Sequence, residues 1–125
     1  MQLYLVTEVI DGDTFKVDPP ISRNFVLQTP MQRLRGDTLA ETPMQRLETP
    51  NVLTKVRLAN INAPEIQTLP GKLATTYLKG LIERKQVTLK PTGISYDRVV
   101  ADVWLYPNKL FVNAAMVYKG YARRA

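Results

Sequence analysis

Between residues 71 and 85 the apolar pattern of this chain switches period. Leu73, Ala74, Tyr77, Leu78, Leu81 and Ile82 recur at steps of three and four, which draws an apolar stripe down one side of a helix and leaves Lys72, Thr76, Lys79 and Glu83 outward. Gly80 costs such a helix about 1 kcal/mol relative to Ala, so packing against a larger body has to hold it. The segments on either side alternate with period two. A lone amphipathic helix set among strands needs a sheet to cover, and that requirement narrows the fold.

The strands can be read in order. QLYLVTEVI alternates with Leu3, Leu5 and Val9 on one side. Asp11-Gly12-Asp13 is a strong turn signal, because Gly accepts positive φ and Asp caps its own turn. TFKVD forms a second strand that Pro19-Pro20 should stop. VLTKVRLAN forms a third, with Val56, Leu58 and Asn60 on one face and Arg57, Ala59 and Ile61 on the other. After the helix come QVTLK and RVVADVWLY, a turn at Tyr106-Pro107-Asn108-Lys109, and a short helix from Val112 to Lys119 that ends at Gly120. Three strands, a helix, two strands and a helix is the order of the OB-fold, a mainly β five-stranded Greek-key barrel with a helix plugging one end.

With 125 residues the chain has material for one core, so a single domain spanning 1–125 is expected. Residues from about 20 to 50 interrupt it. TPMQRL occurs at 29–34 and again at 42–47, and two copies are too few to stack as a solenoid. A tandem duplication in a surface loop is the simpler reading, and Arg33, Arg35 and Arg46 would draw it toward phosphates.

Composition removes several chemistries. The chain has no Cys and no His, which excludes disulfides, thiolate metal sites and imidazole bases and leaves Asp, Glu, Lys and Tyr for proton transfer. A net charge of +6 and a pI near 9.7, with the cations spread along the chain, favour an anionic partner. No apolar run approaches the roughly 18 residues of a membrane span. MQLYLVTEVI lacks the basic start of a secretory signal, so a cytoplasmic protein or a secreted mature form is expected.

Several residues suit chemistry on phosphate. Asp13, Arg57, Asn62, Glu65 and Arg98 each fall at the end or edge of an expected strand. Attack on a phosphodiester builds negative charge on the phosphorus oxygens, and guanidiniums meet that charge with forked, permanently charged donors. A hard cation held by oxygen ligands would share the load, and a carboxylate would orient or deprotonate water. Singly, each residue has a plainer explanation: a turn acid, a strand Arg reaching solvent, a surface pair of Asp97 with Arg98.

Together, VIDGDTFKV, VRLANINAPE, SYDRVVADVWL and NKLFVNAAMVYKGYARR resemble, in this order, the staphylococcal nuclease family. The resemblance covers residues 2–19 and about 52–124. It implies Ca²⁺-dependent cleavage of DNA or RNA, mostly single-stranded, at the bond to the 5′ oxygen. It also implies roles: Asp13, Asn62 and the Ala63 carbonyl as ligands of the ion, Arg57 and Arg98 on the scissile phosphate, Glu65 on the attacking water and Tyr96 lining the nucleotide pocket. Nucleic acid is the partner the resemblance implies; no membrane partner and a monomer are the further expectations. Three departures stand out. Asn62 is neutral where a second carboxylate is common, Ser95 replaces a phosphate-contacting Lys, and the sequence ends at Ala125, before an aromatic pair and a last helix. An inactive single-strand-binding barrel is the alternative reading, and a protein-interaction unit that grips through the repeat is a third.

Overall fold

The structure, a computed structural model, describes residues 2–26 and 52–125; the repeated TPMQRL segment lies outside the described residues. Its elements are β1 (Tyr4–Asp11), β2 (Thr14–Ser22), α1 (Arg23–Val26), β3 (Val52–Leu58), β4 (Ile61–Asn62), α2 (Leu69–Ile82), β5 (Gln86–Ser95), β6 (Arg98–Leu105), α3 (Val112–Tyr118) and β7 (Arg123–Arg124). Five strands close a barrel in the order β1-β2-β3-β6-β5, and β4 pairs with β7 in a separate small sheet. All the barrel pairings are antiparallel except β3 with β6. The expected mainly β barrel with helices is therefore the observed one, in an OB-like arrangement.

The core explains which residues face in. Phe15, Val56, Leu58, Val87, Val99 and Val103 fill the barrel, while Leu78 and Ile82 of α2 and Met116 of α3 join the same cluster. Burying each such side chain contributes about 1.5–3 kcal/mol, which is what fixes strand phase. In β1 the phase differs from strict alternation: Tyr4, Val6 and Val9 are buried, and Leu3 and Leu5 are only half-buried. A register shift between Val6 and Glu8 supplies the extra residue that lets both valines point inward.

Other boundaries move for equally local reasons. Pro19-Pro20 does not stop β2, because the pairing with β3 skips from Lys16 to Ile21 and the prolines owe that strand no N–H. At the end of β3 the alternation breaks: Asn60 takes a left-handed φ of 64° and turns outward, while Ala59 and Ile61 are both buried. In α2, Leu73 is exposed rather than part of the stripe. Glu83 turns in, its carboxylate accepting the Val9 amide at 3.0 Å. Thr68 caps α2 through its hydroxyl, which accepts the Gly71 N–H at 3.1 Å.

One buried side chain ties the last helix to the barrel. Asn113 is buried at the start of α3; its amide donates to the carbonyls of Ala59 and Ala101 and accepts the Val103 N–H. That ties α3 to the β3–β6 junction. Among the described residues no helix is long and apolar enough to cross a membrane.

Candidate functional site

The turn between β1 and β2 carries the first acid. Asp13 N–H donates to the Asp11 carboxylate at 3.0 Å, so Asp11 caps the turn as expected. Gly12 serves a different purpose from the expected one. Its φ lies outside the left-handed region, and a Cβ there would come within 2.7 Å of the Ala63 Cβ and 2.8 Å of the Ala74 Cβ. Glycine is needed because the turn is pressed against the β4 exit and α2, and that contact carries Asp13 to the cluster.

Asp13 is nearly buried, and its oxygens are all engaged. One accepts the Thr14 hydroxyl at 3.0 Å; the other accepts the Ala63 N–H at 3.1 Å and faces an Nη2 of Arg57 at 3.5 Å. Arg57 also donates to the Asn62 Oδ1 at 2.6 Å and to the Leu58 carbonyl at 3.1 Å. Three of its five N–H donors are thus used among described residues, leaving the Nε–H and one Nη1–H. Asp11, half-buried beside this cluster, has its carboxyl pushed above the usual range, first by burial and then by hydrogen bonding with Asp13.

Arg98 stands on the neighbouring strand. In the parallel β3–β6 pairing Lys55 lies opposite Arg98 and Val56 opposite Val99. Val56 and Val99 point into the core, so Lys55, Arg57 and Arg98 share the outer face. The Arg98 guanidinium makes no hydrogen bond or ion pair with another described residue. Asp97 does not bridge to it either: its carboxylate takes the Lys55 ammonium at 3.1 Å, and that hydrogen bond lowers its pKa. Tyr96 sits in the β5–β6 turn at a φ of 56°, uncommon for an aromatic residue, and is 89 % exposed.

Glu65 is exposed in the segment between β4 and α2. Its carboxylate makes no bond with a described residue, but its backbone is clamped: the carbonyl accepts both the hydroxyl and the N–H of Thr68, at 2.6 and 3.0 Å. A Cβ on Gly71 would overlap that same carbonyl, so α2 presses directly on the backbone that carries Glu65. Nothing in the sequence pattern singles out Gly71 for this contact.

The structure therefore joins Asp13, Arg57, Asn62 and the Ala63 amide in one network. Arg98 is on the same barrel face, and Glu65 and Tyr96 project from adjoining segments without touching the network. The small β4–β7 sheet, which is too short to show in any pattern, adds Arg123 opposite Asn62. Among the described residues no group of three or more acids is placed to hold a metal ion.

Fold and site define a basic closed barrel that carries Arg57 and Arg98 on one face, with the nearly buried Asp13 carboxylate beside Arg57. Residues 55–125 match the family model described as staphylococcal nuclease homologue, and the chain belongs to that family. It is 34% identical over 128 residues to the probable endonuclease LCL3 of Candida tropicalis, covering 94% of this chain and 50% of the relative. It is 35% identical over 130 residues to a probable endonuclease of Schizosaccharomyces pombe, covering 94% of this chain and 53% of that protein. The chain thus spans about half the length of these curated relatives.

Proposed function

We propose that the chain is a nuclease that hydrolyses phosphodiester bonds of DNA or RNA, with Ca²⁺ as cofactor and single strands as preferred substrate. The observation that carries this reading is the Arg57 guanidinium, fixed by Asn62 and Asp13 with donors to spare, on the barrel face it shares with Arg98. The names of the two relatives, both probable endonucleases, support it.

The chemistry follows from these side chains. Arg57 and Arg98 hold the scissile phosphate and meet the charge that grows on its oxygens as water adds. Glu65 takes a proton from the attacking water, the only kind of base a chain without His offers beyond Lys and Tyr. The new P–O bond forms as the bond to the 5′ oxygen breaks; that oxygen takes a proton and departs as a hydroxyl, leaving a 3′-phosphate. Tyr96, held out by its turn, offers a face for a base to stack on.

The donor set suits a hard cation. The Asp13 carboxylate, the Asn62 Oδ1 and the Ala63 carbonyl would be its protein ligands, and two of these groups already attract a cationic guanidinium. When bound, Ca²⁺ supplies charge neutralisation and polarises water. One carboxylate among the three makes the affinity modest.

Labelled single-stranded DNA incubated with the protein tests the reading. Shortening in Ca²⁺ that a chelator abolishes, and that Glu65→Gln loses while retaining binding, is the expected result. A strand that is retarded but left whole under both conditions would make the chain a binding module.

A further inference from the structure

The chain beyond α3 forms a second concavity beside the cluster. At Gly120, with φ 82°, the helix ends, and the amides of Gly120, Tyr121 and Ala122 turn back onto the carbonyls of Val117 and Met116. This reversal lays the Tyr121 ring on Tyr77 of α2, with centroids 4.6 Å apart and planes at 20°. It then runs β7 antiparallel to β4, and the Ala125 N–H continues the pairing onto the Asn60 carbonyl at 2.9 Å. Beside this pair of short strands lies a cleft of about 440 Å³, walled by Asn62, Ala63, Pro64, Tyr121 and Arg123.

Charge and register say what this cleft accepts. No Asp or Glu lines it. Arg123 is exposed and makes no ion pair with a described carboxylate. Directly opposed residues of an antiparallel pair lie on one face, with Cβ atoms about 5 Å apart, so Arg123 flanks Asn62 from one side. The Arg57 guanidinium donates to the Asn62 Oδ1 at 2.6 Å. Arg57 and Arg123 are thus both neighbours of Asn62, and Arg123 lines a cleft of the size that takes small ligands, about 300–1,000 Å³.

We infer that Arg123 and this cleft form a second phosphate subsite, holding the phosphodiester next to the one gripped by Arg57 and Arg98, with its sugar against Pro64 and Tyr121. The inference rests on the nuclease reading for the identity of the polymer. Arg123 is a positioning residue here: it fixes the strand and touches no reacting atom.

The test is binding without cutting. Fluorescence anisotropy of a labelled eight-nucleotide single strand, with chelator present, is titrated against salt for the native chain and for Arg123→Ala. Loss of one phosphate contact on a single strand lowers the slope of log K against log salt by about 0.7, with affinity for the octamer down by about five- to tenfold. A dinucleotide, carrying a single phosphodiester, is expected to bind both proteins alike, and Arg123→Lys to retain the native slope. An unchanged slope in Arg123→Ala, or an equal loss on the dinucleotide, overturns the subsite. A native chain that binds the octamer yet leaves it whole in Ca²⁺ overturns the nuclease reading alone. One that cuts, while Arg123→Ala keeps the native slope, overturns the subsite alone. No binding by the native chain overturns both.

Discussion

The Asn62 Oδ1 accepts a 2.6 Å hydrogen bond from the Arg57 guanidinium. The same nitrogen faces the Asp13 carboxylate at 3.5 Å. One neutral oxygen and one charged oxygen therefore share a single cationic group, and both belong to the proposed ion ligands. A guanidinium and a divalent cation both seek such oxygens, so the charge at position 62 governs how strongly either is held.

Asn62→Asp is expected to bind Ca²⁺ more tightly, by about an order of magnitude, because a hard cation gains most from added ligand charge. The new carboxylate also pairs better with Arg57, but a partly exposed pair is worth only about 0–1 kcal/mol, less than the roughly 1.4 kcal/mol of a tenfold change. Calorimetric titration of the protein without nucleic acid decides it. Unchanged affinity would take Asn62 out of the ligand set.

Gly71→Ala is expected to damage turnover through Glu65. Its methyl group would overlap the Glu65 carbonyl, which two bonds from Thr68 hold in place, so backbone must shift. A displacement of about 1 Å at a catalytic group costs on the order of a hundredfold in rate, beside roughly 1–3 kcal/mol of stability. Measured kcat should fall with KM nearly constant. Combined with Glu65→Gln, Gly71→Ala should lower kcat no further; additive losses would separate the two residues.

The barrel was legible in the sequence because burial repeats: Val56, Leu58, Val99 and Val103 alternate with outward neighbours, and α2 and α3 show helical spacing and, for α3, a terminal glycine. What escaped were effects of contact between distant segments. The need for Gly12 arises from Ala63 and Ala74, not from its own φ. Leu3 and Leu5 lost the inward face to Tyr4 and Val6 through a register shift that no pattern reveals. The inward turn of Glu83 depends on an amide of β1. At the site, Arg57 and Asn62 could be picked out as strand-end residues, but alternation alone puts them on opposite faces, and only the left-handed Asn60 brings them together; Arg123 entered through a pairing of two residues with two.

Gly80→Ala is expected to stabilise the fold. Gly80 lies inside α2, and a Cβ there would meet nothing within 4 Å. The methyl group then acts on helix propensity and unfolded-chain entropy alone, worth about 0.5–1 kcal/mol. Urea denaturation should show a higher midpoint with an unchanged m-value. A lower midpoint would mean that the helix face at Gly80 is not open.

The Lys55–Asp97 pair gives stability a pH dependence of known sign. The hydrogen bond from Lys55 holds the Asp97 carboxyl below its usual range in the folded chain. A carboxyl depressed on folding contributes stability above its unfolded pKa of about 3.9, and loses it as pH falls through the folded value. Asp97→Asn, which removes the charge, should therefore lower the denaturation midpoint at neutral pH, with the difference from the native chain closing as pH falls through and below the usual carboxylate range. The pair is exposed, so the effect is small and 1 M salt should narrow it further, where the screening length is about 3 Å. A difference that persists at low pH would show that the substitution disturbs the Tyr96 turn instead of the ion pair.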